Sequence, residues 1–267
     1  MTADDVRCPL QIVNLPDFWD KLASSQAAFL ALDYDGTIAP FKPERMQASP
    51  LKGIKPLLSQ IAARSSGRVA VISGRPIFEI EQLLQESNLT IVGNHGFEIK
   101  QPGSAVEYHQ PSPEQSRGLA AAQRAAVKEG AVHLLEIKMA SLAAHTRGLA
   151  PATAEAWEAR IAELWKEIAS EHTLEIRRFN GGVELRCRGR NKGDAVRDLI
   201  SNLGDAFIVF IGDDETDEDV FIAIKNIGIG IKVGPIGDPT AAQGYVSSIE
   251  GVRDFLACWL RYAPVSS

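Results

Sequence analysis

The 267-residue sequence predicts an α/β protein, with a parallel sheet covered by helices on both faces and an α+β unit set into it. Three observations predict this. Short apolar runs stop abruptly at Gly, Asp or Ser. Helical patterns with one apolar face separate the runs. Between residues 100 and 187 that alternation gives way to paired strands and alanine-rich helices.

The apolar runs come first. They are Ala27 to Leu32 before Asp33, Val69 to Ile72 before Ser73, and Thr90 to Val92 before Gly93, Asn94 and His95. Phe207 to Ile211 before Gly212 and Asp213, and Ile227 to Val233, complete the set. Each is of strand length and rich in β-branched or aromatic residues. Residues 51–64 place Leu51, Ile54, Leu57, Leu58 and Ile61 on one helix face, and residues 76–86 repeat the pattern. Val196, Leu199, Ile200 and Leu203 do the same over 193–203, which Gly204 closes. Strands alternating with helices form parallel sheets, and such sheets bind ligands beyond the carboxyl ends of their strands. The polar residues just named stand at those ends.

The interruption reads as two hairpins and two helices. Residues 132–138 pair with 142–146, and residues 174–179 pair with 183–187 through Asn180-Gly181-Gly182, a hairpin-turn signal. The alanine-rich stretches 113–129 and 152–169 are expected to be helical. The expected division is a core domain of residues 1–99 and 188–267, with a cap domain of residues 100–187.

Composition narrows the function. A formal net charge of -6 lacks the broad positive field that nucleic acid or an anionic membrane surface requires. No apolar run approaches the ~20 residues of a membrane span. The first residues carry no signal-peptide pattern, and Cys8, Cys187 and Cys258 form no CxxC pair. A cytoplasmic protein without disulfides, zinc, nucleic-acid or membrane partners is expected.

The chemistry starts at Asp33-Tyr34-Asp35-Gly36-Thr37, directly after a buried strand. Both carboxylates reach one site if the chain turns at once, which Gly36 permits. A carboxylate attacks phosphorus to form an acyl phosphate, and a second one moves protons. Asp33 suits the nucleophile and Asp35 the acid-base. Alone, this motif reads as an ordinary turn, so it needs partners. Gly212-Asp213-Asp214-Glu215-Thr216-Asp217-Glu218-Asp219 supplies more acid at another strand end. Thr216 and Asp219 also fit a capping box, the ordinary reading of an acidic helix start. Carboxylates converging on one edge repel unless a cation sits among them, and magnesium favours such oxygen ligands. Asp33, the Asp35 carbonyl and Asp213 are the expected Mg2+ ligands, with Asp214 and Asp217 behind them or as alternatives. Ser73, Gly74 and Arg75, opening a helix, offer a phosphate cradle. Lys192 begins another helix, where a cation is disfavoured by the dipole, and could instead hold phosphate and screen the nucleophile.

These four elements in this order resemble the haloacid dehalogenase superfamily of phosphatases, which implies a Rossmann-like core with the insertion acting as a cap. LDYDGTIAP, SGRP, GNHGFE, the EIK…SLAAHTR segment and GDDETDED further resemble the trehalose-6-phosphate phosphatase family over nearly the whole chain. The resemblance implies hydrolysis of trehalose 6-phosphate by an Mg2+-dependent, aspartyl-phosphate route. It also implies that Glu136, Lys138 and Glu184 bind sugar hydroxyls, with Asn94 and His95 lining the core side and Arg75 nearby. A trehalose-phosphate synthase is the partner it suggests. Two positions depart from the family pattern, Cys187 in place of the frequent proline and Thr146 in place of the usual aromatic residue. The competing readings are a phosphatase for sucrose phosphate or glycosyl-glycerol or glycosyl-glycerate phosphate, and a non-catalytic phosphosugar-binding regulator.

Overall fold

The computed structural model describes residues 15, 17–65, 68–86, 88–179, 181–237 and 239–265. The chain folds into two compact units. One runs through Glu107 and resumes at Lys192, and the other spans Tyr108–Asn191.

The first unit is built on α1 (Phe18–Ser24), β1 (Ala28–Asp33), α2 (Ile54–Arg64), β2 (Val69–Ile72), α3 (Ile77–Leu84), β3 (Thr90–Gly93), β4 (Glu98–Lys100) and β5 (Glu107–Tyr108). The second contains α4 (Pro113–Lys128), β6 (Leu135–Ile137), β7 (Ser141–His145), α5 (Pro151–Glu171), β8 (Leu174–Phe179) and β9 (Gly182–Cys187). The chain then returns to the first unit through α6 (Lys192–Ile200), β10 (Phe207–Gly212), α7 (Glu218–Ile224), β11 (Gly228–Val233), β12 (Gly244–Val246) and α8 (Ile249–Tyr262).

The large sheet has the order β12-β11-β10-β1-β2-β3-β4-β5. β12 through β3 pair in parallel, and β4 turns back antiparallel on β3. Alternate residues of each strand enter opposite faces. Leu30, Leu32, Val69, Val71, Val209 and Ile211 pack with Leu58 of α2 and Phe255 and Trp259 of α8. Phe29, Ala31, Ala70, Ile72 and Phe210 pack on the other side with Val196 of α6 and Phe221 of α7. Strands apolar on both faces are what a doubly covered parallel sheet requires.

The small sheet has the order β6-β7-β9-β8, antiparallel throughout. Register divides its faces. Leu142 stands opposite Leu185, and Leu185 opposite Ile176, which makes one apolar face. Glu136 aligns with Ala143, Ala143 with Glu184, and Glu184 with Arg177, which makes the other face polar. Trp165 of α5 is fully buried and its indole donates to the Ala122 carbonyl of α4.

The division differs from the expected limits of 100 and 187. β4 and β5 remain on the edge of the large sheet, which holds residues up to Glu107 in the first unit. Beyond β9, the Arg188 amide donates to the Thr173 carbonyl and the Arg188 carbonyl accepts from Gln115, which keeps residues 188–191 with the second unit. The first hairpin strand is also shorter than 132–138, because Ala131–Leu134 form a 3-10 turn. Cys258 is disulfide-bonded, contrary to the expectation of separate thiols, and Cys187 is free. Separation along a chain does not limit which sulfurs meet in space. Among the described residues no helix is long and apolar enough to cross a membrane.

Candidate active site

β1 and β10 are hydrogen-bonded neighbours, so their carboxyl ends bring Asp33 and Asp213 together. After Asp33 the chain reverses tightly. The Gly36 amide donates to the Ala39 carbonyl at 2.8 Å, and Gly36 sits at φ +84°. A Cβ there would lie 2.1 Å from Asp213 Oδ2, so glycine is required both for the turn and for this close approach. Thr37 donates from its hydroxyl to Asp213 Oδ1 at 3.1 Å.

Lys192, the first residue of α6, is 2 % exposed. Its ammonium donates to Asp33 Oδ1 at 2.6 Å and to Asp217 Oδ1 at 2.7 Å. Burial opposes that charge, yet Asp217 and Asp33 hold the lysine pKa well above its ordinary value. Burial likewise raises the Asp33 carboxyl, with Lys192 pulling against it and Asp217 and Asp213 pushing with it. Asp213 is pushed up to about 7, by burial first and then by Asp217 and Asp214, with Lys192 opposing. Burial first, and then the crowding of like charges, raises both carboxyls.

Asp33, Asp213 and Asp217 each offer an oxygen within 4.8 Å of the others. Asp217 is the most heavily engaged of the three. Its Oδ2 accepts from the Asp213 and Asp214 amides at 2.9 Å, and its Oδ1 holds Lys192. Asp33 Oδ2 and Asp213 Oδ2 accept no hydrogen bond from the described residues. A cation would therefore take those oxygens, and Asp217 would serve by fixing the loop and Lys192. The cap expected from Thr216 and Asp219 is instead made two residues earlier. Asp214 accepts from the Glu215 amide at 2.7 Å, and Asp217 closes the box.

Ser73 is buried, and its hydroxyl accepts from the Arg75 amide at 3.1 Å. The Ser73 carbonyl receives the His95 amide, and the Arg75 carbonyl receives the Asn94 amide. Asn94 and His95 are held at φ +48° and +55°, costly for side-chain-bearing residues. Glu98 helps secure that turn, because its carboxylate accepts from Asn94 Nδ2 at 2.7 Å and from the Ile77 amide at 2.8 Å. A Cβ on Gly74 would meet the His95 ring at 2.5 Å, so the two loops close directly on each other.

Arg75 is held by carboxylates. Its Nε donates to Asp35 Oδ2 at 2.6 Å and its NH2 to Asp35 Oδ1 at 2.7 Å. Its NH1 donates to the Arg45 carbonyl at 2.9 Å and reaches Glu79 at 3.4 Å. Burial works against the guanidinium charge, but the bonds and attraction of Asp35, then Glu79, raise its pKa.

In the small sheet, Lys138 Nζ donates to Glu184 Oε1 at 3.0 Å, and the Ser141 hydroxyl donates to the same oxygen at 2.7 Å. Glu136 pairs with His145 Nε2 at 2.6 Å. All three residues expected to meet sugar lie in this sheet or at its end, and the registered Glu136 and Glu184 share its polar face.

A trehalose-phosphatase family model matches residues 31–245, well over half of the chain. A probable trehalose-phosphate phosphatase of Sinorhizobium fredii is 30% identical over 244 residues, covering 85% of this chain and 86% of that protein.

The chain belongs to the trehalose-phosphatase family.

A bifunctional trehalose-6-phosphate synthase/phosphatase of Thermoproteus tenax is 32% identical over 245 residues, covering 89% of this chain. The present chain spans about a third of that protein's length, 33%. The C-terminal domain of a Candida albicans trehalose-6-phosphate phosphatase superposes with a TM-score of 0.81 over 93% of this chain and 97% of that one, at 22% identity. At that identity the match speaks for the fold, a haloacid dehalogenase-like one with a central, mostly parallel sheet. Within this trehalose-phosphatase chain, sequence reasoning left Thr37, Glu98, Glu79 and Arg45 without roles. Thr37 and Glu98 lay inside motifs already singled out. Glu79 follows Arg75 by four residues, the spacing of a helical ion pair. Arg45, in a 3-10 turn of Arg45–Gln47, had no local signal.

Proposed function

We propose that the chain hydrolyses trehalose 6-phosphate to trehalose and phosphate through an aspartyl-phosphate on Asp33. The observation that carries this reading is the buried Lys192 ammonium bridging Asp33 and Asp217 beside Asp213. Asp33 attacks phosphorus as the bond from phosphorus to the sugar oxygen breaks, and Asp35 protonates that oxygen. Asp35 then takes a proton from water as the water oxygen bonds to phosphorus and the bond from phosphorus to Asp33 breaks. Lys192 offsets the charge that gathers on the phosphoryl group, and the Ser73 hydroxyl with the Gly74 amide receives its remaining oxygens.

The donor set suits magnesium, whose preferred ligands are hard oxygens. Asp33, Asp213 and the Asp35 carbonyl would hold it. When bound, it supplies positive charge to an otherwise acidic pocket. On the small sheet, Glu136, Lys138 and Glu184 would grip sugar hydroxyls by charge-assisted hydrogen bonds. Asn94 and His95 would contribute from the strained turn, with Asp214 supporting the acidic loop. The departures at Cys187 and Thr146 weigh little against this. By strand register Cys187 falls on the apolar face, where burial pushes its thiol up to about 12. Thr146 donates to Glu158 of α5 at 2.6 Å. Neither belongs to the polar face. A trehalose-phosphate synthase would supply the substrate, in keeping with the two activities named for the Thermoproteus relative.

The test is phosphate release from trehalose 6-phosphate, sucrose 6-phosphate, glucose 6-phosphate and glucosylglycerol phosphate, with and without magnesium. Metal-dependent preference for trehalose 6-phosphate is expected, and Asp33→Asn should abolish turnover with the fold intact. Preference for another sugar would overturn the substrate. Full activity of the Asn variant would overturn the nucleophile.

A further inference from the structure

We infer that Arg75, itself braced by Glu79 and Arg45, is the positioning residue that aims the Asp35 carboxylate. The inference rests on the proposed role of Asp35 as proton donor to the leaving oxygen. It replaces a phosphate-binding role for Arg75 and gives roles to two residues that had none.

The geometry is specific. The Arg75 fork meets both Asp35 oxygens, at 2.6 and 2.7 Å. Two parallel bonds fix the plane of a carboxylate as well as its place, which a single donor cannot do. The guanidinium is itself constrained on several sides. The Tyr34 ring lies against it, 5.5 Å from centroid to Cζ, and Tyr34 is anchored through its hydroxyl to the Ala48 carbonyl at 2.8 Å. NH1 is tied to the Arg45 carbonyl at 2.9 Å. Glu79 accepts from Arg45 NH2 at 2.8 Å and lies 3.4 Å from Arg75 NH1.

The position is an expensive one for a cation. Arg75 is 6 % exposed and stands at the start of α3, where the helix dipole repels positive charge. Two carboxylates, Asp35 and Glu79, offset that cost. Their duties differ. Asp35 is the partly exposed member, with 27% of its side chain accessible, whereas Glu79 is 10% accessible. To pass a proton to a leaving oxygen, Asp35 must loosen one of its two bonds to Arg75. Glu79 is already placed to take up the guanidinium when that happens, so Arg75 keeps its station and Asp35 returns to it.

Leaving-group chemistry provides the test. An alkyl sugar oxygen needs a proton as it departs, whereas a p-nitrophenolate does not. Values of kcat/KM for trehalose 6-phosphate and p-nitrophenyl phosphate report the first bond cleavage and exclude the later water step. Arg75→Lys keeps the charge and loses the fork. It should lower kcat/KM for the sugar phosphate by about a hundredfold, the scale of general-acid catalysis, and that for the aryl phosphate by about threefold or less. Glu79→Gln should show the same asymmetry with a smaller fall, and circular dichroism would confirm that each variant is folded. Equal falls on both substrates would overturn the inference, because a phosphate ligand or a purely structural residue serves both esters alike. An unchanged sugar-phosphate kcat/KM in folded Arg75→Lys would overturn it as well. A wild-type chain that releases no phosphate from any ester fails at the level of the proposed function instead.

Discussion

At the scale of single residues, the centre is organised by one buried cation between two buried carboxylates. Removing Lys192 while keeping its bulk, as in Lys192→Met, leaves Asp33 and Asp217 facing each other without compensation. Breaking a buried ion pair from one side costs about 3–5 kcal/mol. Urea unfolding of the metal-free protein should show a loss of that order. Asp213 gives a second residue-scale prediction. Its folded carboxyl titrates at about 7, against an ordinary value of 3.8. Below the ordinary value both folded and unfolded chains are protonated there, and no cost arises. As pH rises toward about 7, the unfolded chain has already released its proton and the fold is progressively disfavoured. A magnesium ion held by Asp213 would need the ionised carboxylate and would offset the same cost. The rise in melting temperature on adding magnesium should therefore be larger at about pH 8 than at about pH 5.5, as thermal melts with and without the metal would show.

At the scale of elements, the site is a set of turns at strand ends that lock onto one another. The turn after β1 approaches the one after β10 so closely that only glycine fits at position 36. Gly36→Ala meets two penalties, a left-handed backbone worth about 1–2 kcal/mol and a clash with the Asp213 carboxylate. Magnesium affinity should fall about 10–100-fold, the usual effect of displacing a ligand's support, with the chain still folded. Calorimetric titration of the metal would check this. The turn after β2 and the one after β3 lock in the same manner, through Gly74 against His95 and through amides donated in both cases to the Ser73–Arg75 backbone. The motifs were readable because each is a short polar string after an apolar run. Their interlocking was not, because it depends on which strands lie side by side.

At the scale of the whole molecule, the chain carries two cores. The large sheet has its apolar layers on both faces, and the inserted unit has its own around Trp165. Trp165→Ala removes a fully buried indole and its bond to Ala122, at a cost of about 3–5 kcal/mol. Hydrogen exchange should then quicken across α4, α5, β8 and β9, while amides of β1 and β10 keep their protection. Uniform loss of protection in both units would show that they unfold as one. The acidic balance of -6 also acts at this scale. It leaves anion binding to local charges such as Lys192.

The amino-acid sequence by itself determined the alternation of strands and helices, the strand ends that carry chemistry, and the family. Those properties follow from local periodicity and from short motifs that keep their meaning wherever they fall in a chain. The helix over 193–203 and the hairpin around Gly181 were legible for that reason. Only the tertiary structure decided which side chain meets which. Lys192 finds Asp33 across 159 residues. Asp217 holds a loop and a lysine, and Arg75 grips Asp35. Each outcome is a choice among charged partners of similar strength, settled by the distances that sheet order and helix packing impose. A linear sequence states the charges, and the fold sets the distances that decide among them.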